Sequence, residues 1–250
     1  MARHLLRNIG FGIFMYWDLR TIRGNQKMIR KYRAEGDLEA ERKEICQAET
    51  TWSRHLVEKV GVTIRFTGKE NIPEGPVLIV ANHQSYTDIA ILTYVISDRQ
   101  LGFVAKEDLH KLPLFGQWIA DVRSVFIKRD DARASLRAIE EGIGLLKQGF
   151  SLGIFPEGTR SKGPKMGEFK RGSLRLATKP GIPVVPVTIC GSYKCFEGPG
   201  TPTAATVDVF IHPAIETAGM EKKEAAELAG VVEKIVRDKL LELQEKQETE

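Results

Sequence analysis

From residue 62 onward the chain alternates short apolar runs with longer stretches of helical periodicity, and that alternation restricts it to a small set of folds. Residues 62–67, 77–81, 101–105, 125–128, 151–155, 184–190 and 207–212 have the length, the apolar content and the flanking polar or Gly/Pro residues of strands. Between them, residues 88–95, 132–147 and 172–179 repeat their apolar side chains at helical spacing. Such alternation predicts an α/β domain: a mixed, largely parallel sheet flanked by helices. Residues 222–244 add an amphipathic helix with Leu228, Val232, Val236 and Leu240 on one side, and residues 242–250 read as a frayed, solvated end.

Residues 1–60 have a different texture. Residues 3–33 can be written as one helix whose apolar side includes Leu5, Leu6, Ile9, Ile13, Tyr16 and Trp17, although Gly10 and Gly12 each weaken it by about 1 kcal/mol against alanine. Gly36 breaks the pattern, Asp37 is a candidate N-cap, and a second helix over about 38–60 carries Leu38, Ile45, Trp52 and Leu56. The expected organisation is an N-terminal two-helix hairpin over 1–60 followed by an α/β domain over 61–250. The apolar run 9–17 falls short of the ~20 residues needed to span a bilayer. No small-residue cleavage site follows it, so it does not read as a secretory signal.

Charge is unevenly spread. The chain carries +4 overall, yet residues 1–33 hold eight Lys or Arg against Asp18 alone, a local +7 that leaves −3 for the rest. A helix with an aromatic and aliphatic side and flanking arginines suits the interface of an anionic membrane. The same pattern also fits a helix packed on the main domain with its arginines in water. Aromatic side chains interleaved with the basic ones, as base stacking requires, are sparse, which argues against nucleic acid. Three cysteines without a CxxC pair indicate neither a disulfide framework nor a zinc site, and suit a reducing, cytoplasmic environment. No metal-ligand spacing is visible.

Two strand ends carry the chemistry. The run Leu78-Ile79-Val80-Ala81 ends in Asn82-His83, with Asp88 five residues after the histidine. Ligands of open α/β sheets collect at the carboxyl ends of strands. A carboxylate on one imidazole nitrogen leaves the other as a general base. An N-capping aspartate beside an incidental loop histidine would give the same spacing. The second strand end is Phe155-Pro156-Glu157-Gly158-Thr159-Arg160-Ser161, where Arg160 can bind a phosphate bidentately and Glu157 can organise the loop. Lys106 and Arg129 also follow apolar strands and can meet an anionic ligand. No Gly-x-Ser-x-Gly elbow occurs, and Ser85 is the one candidate nucleophile near His83.

These blocks resemble, in order, those of the glycerolipid acyltransferases, and in particular the 1-acylglycerol-3-phosphate acyltransferases. The Asn-His-x4-Asp block is Asn82 to Asp88. The second runs from Lys106 through Pro113-Leu114-Phe115-Gly116 to Phe126-Ile127-Lys128-Arg129. The third is Phe155 to Ser161, and the fourth is Val184-Val185-Pro186-Val187. The resemblance implies transfer of a fatty acyl group from a coenzyme A or acyl-carrier-protein thioester to the 2-hydroxyl of lysophosphatidate. His83 would be the general base and Asp88 its orienter, while Lys106, Arg129, Glu157, Gly158, Thr159 and Arg160 would bind the glycerol phosphate. It further implies direct transfer without an acyl-enzyme, no resident cofactor or metal, and a peripheral or monotopic site on the cytoplasmic face of the cell membrane. Glycerol 3-phosphate or another lysophospholipid is the alternative acceptor, and a non-catalytic anionic-lipid-binding protein the alternative of a different class.

Overall fold

The computed structural model describes residues 2–128 and 130–249. Three helices open the chain: α1 (Ala2–Asp18), α2 (Arg23–Glu35) and α3 (Leu38–Val60). The expected hairpin is the α2–α3 pair, turned by Gly36 in the left-handed conformation (φ 74°) and capped by Asp37, whose side chain accepts from Ala40 N–H. What periodicity presents as one helix over 3–33 is two. Leu19 and Ile22 are buried where the helix stops, so the chain bends there to sink both side chains into the core. Asp18 ends α1 and accepts from His55 Nδ1 of α3 at 2.6 Å.

Then come β1 (Val62–Thr67), β2 (Leu78–Ala81), α4 (Thr87–Val95), β3 (Leu101–Lys106), α5 (Phe115–Asp121), β4 (Val125–Ile127), α6 (Ala132–Lys147), β5 (Ser151–Ile154), α7 (Arg175–Thr178), β6 (Val184–Cys190), β7 (Ala205–Ile211) and α8 (Lys222–Thr249). The seven strands form one sheet in the order β1-β7-β6-β2-β5-β3-β4. All neighbours run parallel except β6 and β7. The central strands β2, β5 and β6 are buried along their whole length, as a sheet covered on both faces demands. The tail is not frayed: α8 continues to Thr249, and Gln247 Nε2 donates to Asp208 Oδ2 of β7 at 2.5 Å.

Topology makes a crevice. The chain leaves β2 through α4 for β3 on one side, and leaves β5 through α7 for β6 on the other. Parallel crossovers are right-handed, so these departures in opposite directions put α4 and α7 on opposite faces. Between the carboxyl ends of β2 and β5 the loops therefore part, which is where α/β sheets bind ligands. The helices α3, α4 and α5 share the first face; α6, α7 and α8 share the second.

The N-terminal helices are fixed by a buried charge cluster. Glu41 of α3 is fully buried and accepts from Arg33 Nε of α2 and from Arg123 Nε and Nη2 after α5, each at 2.7 Å. Removing one partner of a buried ion pair leaves an uncompensated charge. Arg123→Ala is therefore expected to lower stability by about 3 kcal/mol in denaturant unfolding. A change of under about 0.5 kcal/mol, the range of a neutral surface substitution, would exclude this role.

Candidate active site

Asn82, fully buried, extends the β2–β6 pairing past the end of β2: its Nδ2 donates to Ile189 O and its Oδ1 accepts from Ile189 N–H, both at 2.8 Å. Gln84 Oε1 accepts from Gly191 N–H at 2.9 Å. His83 is thereby held between two anchored neighbours. Asp88 lies in the first turn of α4 and is fully buried. Its Oδ2 accepts from His83 Nδ1 at 2.8 Å and from the backbone N–H groups of Gln84 and Ser85 at 2.7 and 2.9 Å. A carboxylate oxygen only accepts, so His83 Nδ1 carries the proton and Nε2 presents a lone pair. The imidazole stacks on Phe155 with ring centroids 4.0 Å apart, and Phe155 stacks on Phe103 at 6.0 Å. Hydrogen bond and stack together fix the ring's direction.

The β5 loop grips the same histidine by its backbone. His83 N–H donates to Glu157 Oε1 at 2.6 Å, and Ser161 N–H donates to His83 O at 2.8 Å. Glu157 Oε2 accepts from Gly167 N–H at 2.7 Å. Burial pushes the Glu157 carboxyl above its ordinary range, and the N–H groups of His83 and Gly167 pull it back. Both of its oxygens are thus spent on holding loops together. Gly158 turns the loop at φ 73°, and a Cβ there would come within 2.8 Å of Lys170 Nζ.

Arg160 lies across the crevice mouth. Its Nη1 donates to Glu197 Oε1 at 2.6 Å, and its guanidinium rests over the Tyr86 ring. Glu197, on the loop after β6, also accepts from Tyr86 N–H at 3.0 Å. That loop in turn supports α1: Asn8 Nδ2 donates to Gly200 O at 2.9 Å, Arg7 donates to Pro202 O, and Phe11 packs on Phe196.

The structure brings His83, Asp88, Glu157, Gly158, Thr159 and Arg160 together at the carboxyl ends of β2 and β5. Lys106 ends β3, one strand beyond β5, and its exposed ammonium pairs with Asp108 at 2.5 Å. Arg129 lies outside the described residues. Ser85 is fully buried, and its hydroxyl accepts from both Thr87 N–H and Thr87 Oγ1. Sequence reasoning missed Glu197, Tyr86, the Phe155 stack and the anchoring by Gln84; the only signal for Tyr86 was its place inside the His83–Asp88 block. Glu157→Ala would leave two N–H groups without their acceptor, and the expected cost is about 1–3 kcal/mol in denaturant unfolding, since the desolvated carboxylate is removed as well. Wild-type stability in this variant would show that Glu157 does not hold the loops.

With this geometry in view, comparison with known proteins is specific. A family model described as Acyltransferase matches residues 63–190. The 1-acyl-sn-glycerol-3-phosphate acyltransferase of Pseudomonas aeruginosa is 31% identical over 193 residues, covering 77% of this chain and 74% of that one. A chloroplastic 1-acyl-sn-glycerol-3-phosphate acyltransferase of Arabidopsis thaliana is 35% identical over 156 residues, and the match spans 43% of its length. The chain thus spans less than half of the plastid relatives it matches. Among solved structures, the crystal structure of the 1-acyl-sn-glycerophosphate acyltransferase PlsC from Thermotoga maritima superposes with a TM-score of 0.76 at 30% identity, covering 96% of this chain and 98% of that one. On sequence, fold and the blocks that line the crevice, the chain belongs to the Acyltransferase family.

Proposed function

We propose that this protein transfers a fatty acyl group from an acyl thioester, carried on coenzyme A or an acyl-carrier protein, to the 2-hydroxyl of 1-acylglycerol 3-phosphate, giving phosphatidate. The observation that carries the reading is the pairing of His83 Nδ1 with the buried Asp88 at the same sheet edge as Arg160. The names of the bacterial relatives support the same acceptor.

In this reading His83 Nε2 takes the proton of the acceptor hydroxyl as its oxygen attacks the thioester carbonyl. Asp88 holds the tautomer and stabilises the imidazolium that forms. Collapse of the tetrahedral intermediate forms the ester, breaks the C–S bond and releases the thiolate, which takes the proton from His83. Ser85 is buried and engaged by Thr87, which favours direct transfer over an acyl-enzyme. Arg160 spends one guanidinium donor on Glu197 and keeps the rest for a phosphate. Gly158 and Thr159 shape the same loop. Lys106, at the end of β3, and Arg129 would draw the anionic acceptor toward the edge. The donor brings its own activated acyl group, so the chemistry calls for no resident cofactor or metal.

The acceptor and product are lipids, and α1 offers them a surface. Leu5, Leu6, Ile9, Ile13, Tyr16 and Trp17 are exposed along one side of α1, with Leu112 and Leu114 exposed near Phe115, against which Tyr16 packs. Among the described residues no helix is long and apolar enough to cross a membrane. Residues 1–33 would lie in the interface of an anionic bilayer on the cytoplasmic side.

His83→Ala is expected to lower transfer to lysophosphatidate about 10²–10⁴-fold. The assay would set both proteins against lysophosphatidate, glycerol 3-phosphate and other lysolipids, and undiminished transfer by the variant would sink the base assignment. For the membrane surface, Ile13→Glu should weaken flotation with anionic liposomes about tenfold or more, from an apolar contribution of about 1.5–3 kcal/mol per large side chain. Flotation equal to wild type would remove α1 from the membrane contact.

A further inference from the structure

A second basic region lies outside the N-terminal arm. Residues 160–179 hold seven Lys or Arg against Glu168 alone, a local +6. Arg160 is committed to Glu197 and Lys179 to Glu140 of α6 at 2.5 Å. Arg171, in the 3-10 turn before α7, and Arg175, its first residue, are exposed. So are Arg133 and Arg137 on α6, which packs against α7 with Gly142 beside Leu176. Among the described residues no acid forms an ion pair with these four arginines. Between Arg133 and Arg137, Leu136 is 50% exposed. Of the acids near them, Asp131 at the N-cap of α6 is occupied in capping Ala134 N–H, Glu140 pairs with Lys179, and Glu141, one turn beyond Arg137, forms no ion pair with it among the described residues.

An exposed leucine flanked on its helix by Arg133 and Arg137, with two more exposed arginines on the adjoining segment, has the layout of a protein docking site. Its place in the fold narrows the partner. α1, with its apolar stripe, packs on α3 on one face of the sheet, while α6 and α7 cover the other. A partner seated on α6 and α7 therefore leaves α1 free for a bilayer. The cluster also leads to the site: Ser161, where it begins, bonds to His83 O, and Lys170 stands beside Gly158.

We propose that the α6–α7 surface, through Arg133, Leu136, Arg137, Arg171 and Arg175, docks an acidic carrier protein that presents the acyl thioester to the crevice. The proposal rests on the acyltransferase reading and adds where the donor approaches. Docking would be salt-sensitive, because the arginines are exposed.

The test compares wild type with Arg137→Glu/Arg175→Glu, and with the milder Arg137→Gln/Arg175→Gln pair. Palmitoyl-acyl-carrier protein and palmitoyl-coenzyme A are the donors, with lysophosphatidate in neutral detergent micelles. The expected result is a KM for the carrier donor raised about tenfold or more by charge reversal and less by neutralisation. kcat, and both constants for the coenzyme A donor, should stay within about twofold. Flotation of the variants with anionic liposomes should match wild type. An unchanged carrier KM, an equal loss with both donors, or a wild type that accepts only the coenzyme A donor would overturn the docking surface and leave the acyltransferase reading standing. Weakened flotation with an unchanged carrier KM would overturn it in favour of a membrane contact. A wild type that transfers from neither donor would instead sink the acyltransferase reading itself.

Discussion

The site depends on one topological constraint, the opposite departures of the chain from β2 and β5. These strands are hydrogen-bonded neighbours, with Leu78, Ile79 and Val80 in register with Leu152, Gly153 and Ile154. Right-handed crossovers send their loops to opposite faces, so a gap must open at their carboxyl ends. The two loops meet across it where Glu157 and Ser161 of one bond the backbone of His83 in the other. The imidazole is therefore set by both strands at once: its Nδ1 by the β2 side through Asp88, its ring plane by Phe155 on the β5 side.

Most buried carboxylates in this protein are answered by several local donors, while positive charge collects in two exposed regions. Asp88 Oδ2 accepts three hydrogen bonds, Glu157 two from backbone N–H groups, and Glu41 three from two arginines. Glu49, buried in α3, accepts among the described residues only from Leu101 N–H, and burial pushes its carboxyl well up. The two basic regions, +7 over residues 1–33 and +6 over residues 160–179, leave −9 for the remainder of a chain whose net charge is +4. That separation cannot be a packing requirement, because most of these side chains are exposed. Exposed like charges raise the free energy of the fold slightly, and their concentration at two places marks surfaces that meet anions.

Much of the fold was legible because buried parallel strands are continuous apolar runs, and here each run ends within two residues of the strand it encodes. The break between α1 and α2 was not legible. Apolar periodicity runs straight through it, and its cause is the burial of Leu19 and Ile22 together with the Asp18–His55 bond, contacts made with residues distant in sequence. The end of α8 was misread for the same reason, since its charged, repetitive tail is held by Asp208 through Gln247. At the site, strand ends and spacing singled out His83, Asp88, Glu157 and Arg160 as candidates but left open an N-cap beside a loop histidine and a surface ion pair; their roles came from the family resemblance. Glu197 could not be singled out: it stands 37 residues beyond Arg160, in a Gly/Pro-rich loop with no motif. The basic surface of α6 and α7 escaped notice because its charge is split between two segments that only the sheet topology brings together.

Glu197 also shows why the N-terminal helix and the crevice cannot be treated separately. One oxygen of its nearly buried carboxylate receives both Arg160 and Tyr86 N–H. The loop that carries it is pinned from the other side by Arg7, Asn8 and Phe11. These three come from the inward side of α1, whose outward side exposes Leu5, Leu6, Ile9 and Ile13. A helix anchored only by its outward stripe would be free to roll, and the loop beneath it would follow. Because α1 is also tied to α3 through Asp18 and His55, with Lys59 over Phe14, its rotation is fixed at both ends. The guanidinium of Arg160 is thus placed by a sequence of contacts that starts on α3, passes through α1 and the loop after β6, and ends at the crevice mouth beside His83.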